Sequence, residues 1–533
     1  MTDQIIEIKK CTISWQEFSI TQWDVDFYNK ISPIFAGQKF TIPTPTLCPE
    51  ERQRRRLAFR NERNLYRRTC DASGKQIISI YSPDKPYKVY DQKVWWSDSR
   101  DAMDYGRDFD FSKTFTENFR ELVLHVPRFS LQNWNNRTNA DYTNWWDYEE
   151  NCYMVFNACY LQDCLYGTKV YRSKDCIDMY GCFDSELCYE CTDIYNCFNC
   201  FYSINLKDCS YCYWSNNCIW CKFCINCSNL SNSEYYYNNE YVGKEKYQEL
   251  LIQYSNTYFS SKIIIDNENC DNCIGNYLKN CKEVYYSNEI ENGENLKYCC
   301  KLNNAQNCYD YDVWWDKAEW FYECQSAGWW WYHNMFVNVT RQWSENLYCD
   351  NCVENCSHCF WCVGLRKKSY CIFNKQYTKE EYENIVAKII THMQTTGERG
   401  EFFHPSLSPF GYNETVAQEY YPLQKLGEEW ELGKLRLTSL THLSSLNFWD
   451  FGYHRSSYES PKPVSDKVIP GKDLPERIED VEDSILQYAI ACEVTGKLFR
   501  IQSQELVFYR NHGIPLPRKH PDQRHLERLA LRK

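Results

Sequence analysis

Glycine and proline are scarce, 19 and 17 among 533 residues, which excludes collagen-like and low-complexity chains. No stretch approaches the 18 apolar residues of a membrane-spanning helix, and Met1 to Lys10 hold early acids with no apolar signal-peptide core. The expectation is a soluble, non-secreted, cytoplasmic protein. Also missing are a GxSxG turn, a Walker A loop, an HExxH pair and a glycine-rich dinucleotide turn, so no enzyme is expected. The ten histidines are scattered. His358 adjoins Cys359, but neighbours on a strand point to opposite faces, which argues against a Cys–His pair.

What the chain has in excess is aromatic residues, 17%, and cysteine, 32 residues, within a 43% hydrophobic composition that supports a packed core and several domains. In a reducing cytosol these thiols serve packing, metal binding or catalysis before disulfides. Fifteen cysteines lie between Cys152 and Cys227, and all but Cys159 fall at multiples of three from Cys152. Written in rows of twelve, the first column is Cys in all seven rows, and the fourth, seventh and tenth columns hold small or apolar residues. Asn, Asp or Gly favours the sixth column (Asn157, Gly181, Asp193, Asn205, Asn217, Asn229), where a left-handed turn residue is expected.

A spacing of three fits neither an amphipathic helix nor a half-buried strand. It fits a β-solenoid of twelve residues per coil with four inward positions, stacked about 4.8 Å apart. The coil spacing, and only that, resembles the twelve-residue β-helix of beetle antifreeze proteins. Their outward Thr-x-Thr face is absent; the second column reads Tyr153, Leu165, Ile177, Tyr189, Phe201, Tyr213, Ile225, taken as an outward aromatic and aliphatic ladder. Cys218-x-x-Cys221-x-x-Cys224-x-x-Cys227 resembles a ferredoxin iron–sulfur run, but inward positions at three generate that pattern unaided, and core packing is the favoured reading.

A second block keeps the step of three from Leu278 to Cys308, loses phase through a Trp-rich stretch (Trp314 to Trp343) and regains it at Val353. That stretch is read as a packed break, and as the first choice for any small-molecule or glycan site. Both blocks end alike at an offset of 135, each followed by a short helix suited to closing an open end, with Thr378 as N-cap of the second.

The termini also match. Cys11, Phe18, Ile20, Phe27 and Tyr28 align with Cys492, Phe499, Ile501, Phe508 and Tyr509, and Ile42 to Arg60 aligns with Ile514 to Arg532. A shorter relative starts at Cys70. Cys-x-x-Cys-Gly-Lys, a hairpin, then Cys-Pro-x-Cys-Arg opening a helix is the layout of a zinc ribbon or treble clef. Here the ligand positions are Cys11, Ser14, Cys48, Glu51 in the first module, Cys492, Thr495, His520, Gln523 in the last and Cys70, Ser73, Asp91, Val94 in the middle one. No cofactor is expected; zinc is possible, with Cys11, Cys48, Cys492 and His520 as the degenerate ligand set.

Leu47 to Arg63, Tyr81 to Tyr90, Trp95-Trp96-Ser97-Asp98 and Cys492-Glu-Val-Thr-Gly-Lys497 resemble a cysteine-rich, zinc-ribbon-containing protein family of candidate-phyla-radiation bacteria, over nearly the whole chain. The resemblance implies zinc-ribbon ancestry and no activity.

Net charge is −12, yet residues 51–68 carry +6 and residues 510–533 carry +5, leaving −23 elsewhere. On a helix, Arg52, Arg56, Arg60, Arg63 and Arg67, with Arg55 beside them, would form one stripe; Arg524, Arg528 and Arg532, preceded by Arg518, repeat it. Guanidinium groups suit RNA phosphates and bases, and the alternative is that they pair with the acidic body.

The expected architecture is mainly β with α: two twelve-residue-per-coil β-solenoid blocks with Cys-rich interiors, flanked by degenerate zinc-ribbon or treble-clef-like modules. The expected domains are two modules at 1–98, a helical connector at 99–150, solenoid blocks with cap helices at 151–257 and 258–395, an irregular linker at 396–480 and a last module at 481–533. The expected function is a non-enzymatic binding scaffold, for RNA or ribonucleoprotein through the arginine helices. The alternatives are a protein-interaction or structural solenoid using exposed Tyr and Trp faces, and then a metal or iron–sulfur redox protein.

Overall fold

The structure, a computed structural model, describes residues 4–133, 136–145, 148–254, 267–315, 322–324, 334–339, 345–426, 429–432, 451–463, 465 and 467–531. In chain order the elements used below are β1 (Ile5–Lys10), β2 (Glu17–Thr21), α1 (Gln22–Ile31), α2 (Pro49–Leu57), the first solenoid block, α3 (Lys244–Tyr254), the second block, α4 (Lys379–Thr396), β3 (Val468–Pro470), β4 (Ala489–Ala491), β5 (Leu498–Phe499), α5 (Ser503–His512) and α6 (Pro521–Ala530). The chain divides into two compact units that do not follow chain order. Unit 1 joins residues 1–130 to 266–458, and unit 2 joins residues 131–265 to 459–533. Each solenoid block thus carries the terminal module from the far end of the chain.

In unit 2 successive short strands pair in parallel at a twelve-residue offset, from Glu149↔Leu161 through Leu206↔Cys218. Coiling is already under way at Arg137–Thr138, inside the stretch expected as a helical connector. The inward columns are sealed: Cys164, Val170, Cys176, Cys182, Cys188, Cys191, Ile194, Cys200 and Leu206 are all buried. All 32 cysteines are free thiols. The sixth-column prediction holds but was too narrow. The residue before every inward position is left-handed, as at Asp163, Tyr166, Lys169, Arg172, Asp175 and Asp178, with φ between 46° and 59°. Each coil is a square with four such corners, and a left-handed L-residue costs about 1–2 kcal/mol. Hydrogen bonds between coils offset that cost: Tyr202 N–H donates to Tyr189 O at 2.9 Å, and corner asparagines bond one coil to the next, as in Asn205–Asn217–Asn229 at 2.9 and 2.6 Å.

This geometry gives the interior a use for a small side chain bearing a hydrogen-bonding atom. Cys191 Sγ donates to Tyr189 O and Cys200 O at 3.2 and 3.1 Å, and Ser203 Oγ makes the equivalent bonds to Phe201 O and Cys212 O at 2.9 and 3.3 Å. Serine also accepts from the next coil, with Ser215 N–H donating to Ser203 Oγ and Cys227 N–H to Ser215 Oγ at 3.1 and 3.3 Å. Cys and Ser therefore interchange without breaking the phase.

Where the sequence of unit 1 loses its phase, described residues bridge at a longer step. Tyr311 bridges Cys324, Tyr322 bridges Met335 and Leu347 bridges Phe360, each thirteen residues apart. Cys349 still donates across a lengthened coil to Cys359 O at 3.4 Å, while one inward position holds a buried asparagine: Asn346 Nδ2 donates to Cys356 O at 3.1 Å and its Oδ1 accepts from Cys359 N–H at 2.9 Å. Most of the Trp-rich stretch, including Trp320, Trp329, Trp330, Trp331 and Trp343, lies outside the described residues. Each block ends in an antiparallel return, Tyr236↔Tyr241 and Cys371↔Gln376, followed by α3 or α4. Thr378 caps α4 in a capping box with Glu381, as expected.

Among the described residues no helix is long and apolar enough to cross a membrane.

Candidate functional site: the acidic corners and the arginine helices

One corner column recurs in both blocks. In unit 2 it reads Tyr166, Asp178, Glu190, Tyr202, Trp214; in unit 1, once the thirteen-residue coils are followed, it reads Tyr298, Asp310, Glu323, Phe336, Tyr348. All ten have positive φ, which turns their side chains outward at one edge of the square. The upper pair stacks in each, Tyr202 on Trp214 with centroids 5.6 Å apart and Phe336 on Tyr348 at 4.5 Å. Each acidic pair receives an arginine helix of its own unit.

In unit 1, Arg52 Nε lies 2.7 Å from Asp310, Arg56 pairs with Asp310 and Asp312, and Arg55 bridges Glu323 at 2.6 Å and Glu401 at 2.8 Å. In unit 2, Arg524 and Arg528 both bind Asp178, and Arg528 also reaches Glu190 at 2.5 Å. The guanidinium of Arg52 stands over Tyr298 at 5.2 Å and that of Arg524 over Tyr166 at 5.0 Å. Arg52, Arg56, Arg524 and Arg528 are at most 4% exposed.

Of the two readings of these arginines, phosphate-facing or paired with the acidic body, the geometry matches the second for these four: the solenoid's carboxylates hold them in the interior. Arg60 is buried against Glu62 at 2.5 Å, and Arg63 is buried. The single helical stripe does not form. α2 ends at Leu57, and Arg67 sits on the strand Tyr66–Thr69. Of the arginines predicted to bind nucleic acid, Arg67 is exposed and Arg518 half-buried, while Arg532 lies outside the described residues. The second-column ladder is also corrected. Leu165, Ile177, Tyr189 and Ile225 are buried with Leu474, Ile478, Phe508 and Tyr509, so this face carries the C-terminal module.

In each module one of the degenerate ligand positions stands at the start of a helix. Asp91 Oδ1 accepts from Lys93 N–H at 2.9 Å and His520 Nδ1 from Asp522 N–H at 3.0 Å, each as N-cap of the following helix. Cys48 occupies that position ahead of α2. Cys11 Sγ accepts from Ser14 N–H at 3.5 Å, Ser14 Oγ meets Cys48 Sγ at 3.5 Å, and Glu51 is bound to Arg54. The hydrogen bond from Cys48 to Cys11, ahead of burial, holds the Cys11 thiol below its ordinary range and Cys48 above it. Burial lifts the Glu51 carboxyl to about 7. Two thiols, a hydroxyl and a carboxylate committed to Arg54 do not fit a structural zinc, and the Cys492 set, whose His520 is a cap and whose Gln523 bonds Glu527, fits less well. Among the described residues no group of three or more His, Cys, Asp or Glu is arranged to hold a metal.

His358 faces away from Cys359. Its Nε2 meets Glu345, its ring stacks on Tyr370 with centroids 4.7 Å apart, and Cys359 Sγ is turned inward toward Ser357 O. Glu345, His358 and Tyr370 line a cavity of about 360 Å³ floored by Ile31, Phe35, Leu347 and Tyr382. Fixed-period reading does not point to it, because Glu345 and His358 lie thirteen residues apart and meet across one coil.

A scan of known protein families finds no matching family, and comparison with curated proteins finds no similar chain.

Proposed function

We propose that this protein is a non-enzymatic binding scaffold that works through protein interaction, with its arginine helices serving as internal anchors. The observation that carries the reading is the burial of Arg52, Arg55, Arg56, Arg524 and Arg528 on acidic solenoid corners. Groups held this way have no free face for phosphate, and the acidic body is a poor polyanion surface. Aromatic corners remain for a partner: Tyr148 and Tyr160 stack at 4.7 Å and are 48% and 50% exposed, beside the stacked column Tyr171, Phe183, Tyr195. The terminal modules' hairpin-to-helix layout supports descent from a zinc-ribbon-like ancestor whose ligands became caps. A chain with 32 cysteines, most of them packed as interior side chains, favours a reducing, cytoplasmic setting.

The test is the ultraviolet absorbance ratio of untagged protein purified at low salt, before and after a salt wash and nuclease. A clean protein spectrum is expected. Nucleic acid that salt removes, and that is lost in Arg67→Glu or Arg518→Glu proteins of unchanged thermal stability, would overturn the reading in favour of RNA binding.

A further inference from the structure

The two terminal modules share one register. β1 pairs with β2 through Lys9↔Phe18 and Lys10↔Glu17; β4 pairs with β5 through Ile490↔Phe499 and Ala491↔Leu498, an offset of 481 throughout. The hydrogen bonds around them match as well, Cys11 N–H to Gln16 O at 2.9 Å corresponding to Cys492 N–H to Lys497 O at 3.0 Å. They differ at the other edge. In the C-terminal module β3 adds to β4 in parallel, Val468↔Ala489, Ile469↔Ile490, Pro470↔Ala491, and Ala489 N–H donates to Lys467 O at 3.0 Å. In the N-terminal module β1 and β2 form a two-stranded sheet, and among the described residues no strand pairs with the outer edge of β1.

The burial follows. Ala489 is fully buried, whereas Ile8, at the same register position, is 63% exposed, with Ile5 and Ile6 exposed beside it. Three isoleucines on an open edge form a template for strand addition. The shared register makes Ile8 N–H, the counterpart of Ala489 N–H, the group turned toward that edge.

We infer that the outer edge of β1 is a docking site for an extended partner segment that adds as a parallel strand, with the chemistry of Lys467–Pro470: a basic residue, two β-branched residues, then proline. The main chain supplies affinity through Ile8 and Lys10, and the branched side chains pack on the exposed isoleucines. The site is independent of the solenoid surface.

The probe is a synthetic peptide of residues 465–474 added to the full chain, read by hydrogen exchange at β1. The Ile8 and Lys10 amides should exchange rapidly in the free protein and slow at least tenfold with saturating peptide. Ile8→Pro, which deletes the N–H, should abolish this, and Ile6→Asp with Ile8→Asp, which keeps the backbone, should weaken it at least tenfold. Amides already protected in dilute free protein would overturn the inference, as would protection that rises with protein concentration alone, the mark of self-pairing. So would a peptide that leaves both amides unchanged at millimolar concentration.

Discussion

Unit 1 and unit 2 solve the same docking problem with different charge arrangements. Both place an arginine helix on a corner Asp–Glu pair, yet in unit 1 Arg56 has Asp312 as well as Asp310, and Arg55 has Glu323 and Glu401. In unit 2 both arginines converge on Asp178, with Glu190 as a secondary partner and Glu505 at 3.7 Å from Arg524. The second arrangement has less redundancy. Removing one partner of a buried ion pair leaves an uncompensated charge and costs about 3–5 kcal/mol. Asp178→Ala should therefore reach the upper end of that range and Asp310→Ala the lower. Urea denaturation of the full chain, with hydrogen exchange reporting which unit opens, measures both; equal losses would break the comparison.

One buried acid at matched positions of the two modules sharpens it further. Asp24 in unit 1 accepts from Lys297 and Tyr309, each at 2.6 Å. Its counterpart Glu505 accepts from Tyr166 and Tyr509 at 3.0 and 2.7 Å, and Leu165 stands at the position equivalent to Lys297. Burial consequently pushes the Glu505 carboxyl up to about 7. A carboxyl raised in the folded state binds its proton more tightly there, so its contribution is fully present below the unfolded value near 4.5 and is lost as pH rises through about 7. Between pH 4.5 and 8 unit 2 should lose about 3 kcal/mol through this residue. Glu505→Gln should flatten that slope, and Leu165→Lys should lower its midpoint, in urea titrations at each pH.

How much of this the sequence discloses depends on the interaction. The step of three and its inward residues are visible because every coil in unit 2 repeats them at fixed length. The left-handed corners are visible only where Asn, Asp or Gly fills them; Tyr166, Lys169, Arg172 and Trp214 occupy the same conformation and hide it. Fixed-period reading also fails where a coil gains one residue, so the Tyr-Asp-Glu-aromatic-aromatic column of unit 1 slips out of phase with its twin. The arginines were legible as charge but not as partners, since Arg52 and Asp310 lie 258 positions apart and meet only in the fold. Had the two columns been aligned through the added residues, the matching acids would have pointed to docking rather than to RNA.

The same contrast reaches the interior. Cys212 in unit 2 and Asn346 in unit 1 occupy equivalent first-column positions, one before Cys224 and the other before Cys359. Cys212 Sγ makes only weak contacts, to Ser210 O and Cys221 O at 3.5 Å and to the thiols of Cys200, Cys209 and Cys224, so Cys212→Ala removes little more than the packing of one sulfur, about 1 kcal/mol. Asn346 instead makes two well-formed hydrogen bonds to the next coil, satisfying one backbone N–H and one backbone carbonyl. Asn346→Ala leaves both buried and unpaired, at about 2–3 kcal/mol. Asn346→Cys should recover only part of that loss: a thiol reaches a carbonyl across the longer coil, as Cys349 Sγ does to Cys359 O at 3.4 Å, but it is a weaker donor and acceptor than the amide. If the asparagine is an adaptation to the thirteenth residue, the two alanine variants must differ in unfolding free energy. Equal losses would mean that packing alone fills both columns, and that the longer coil needs no acceptor of its own.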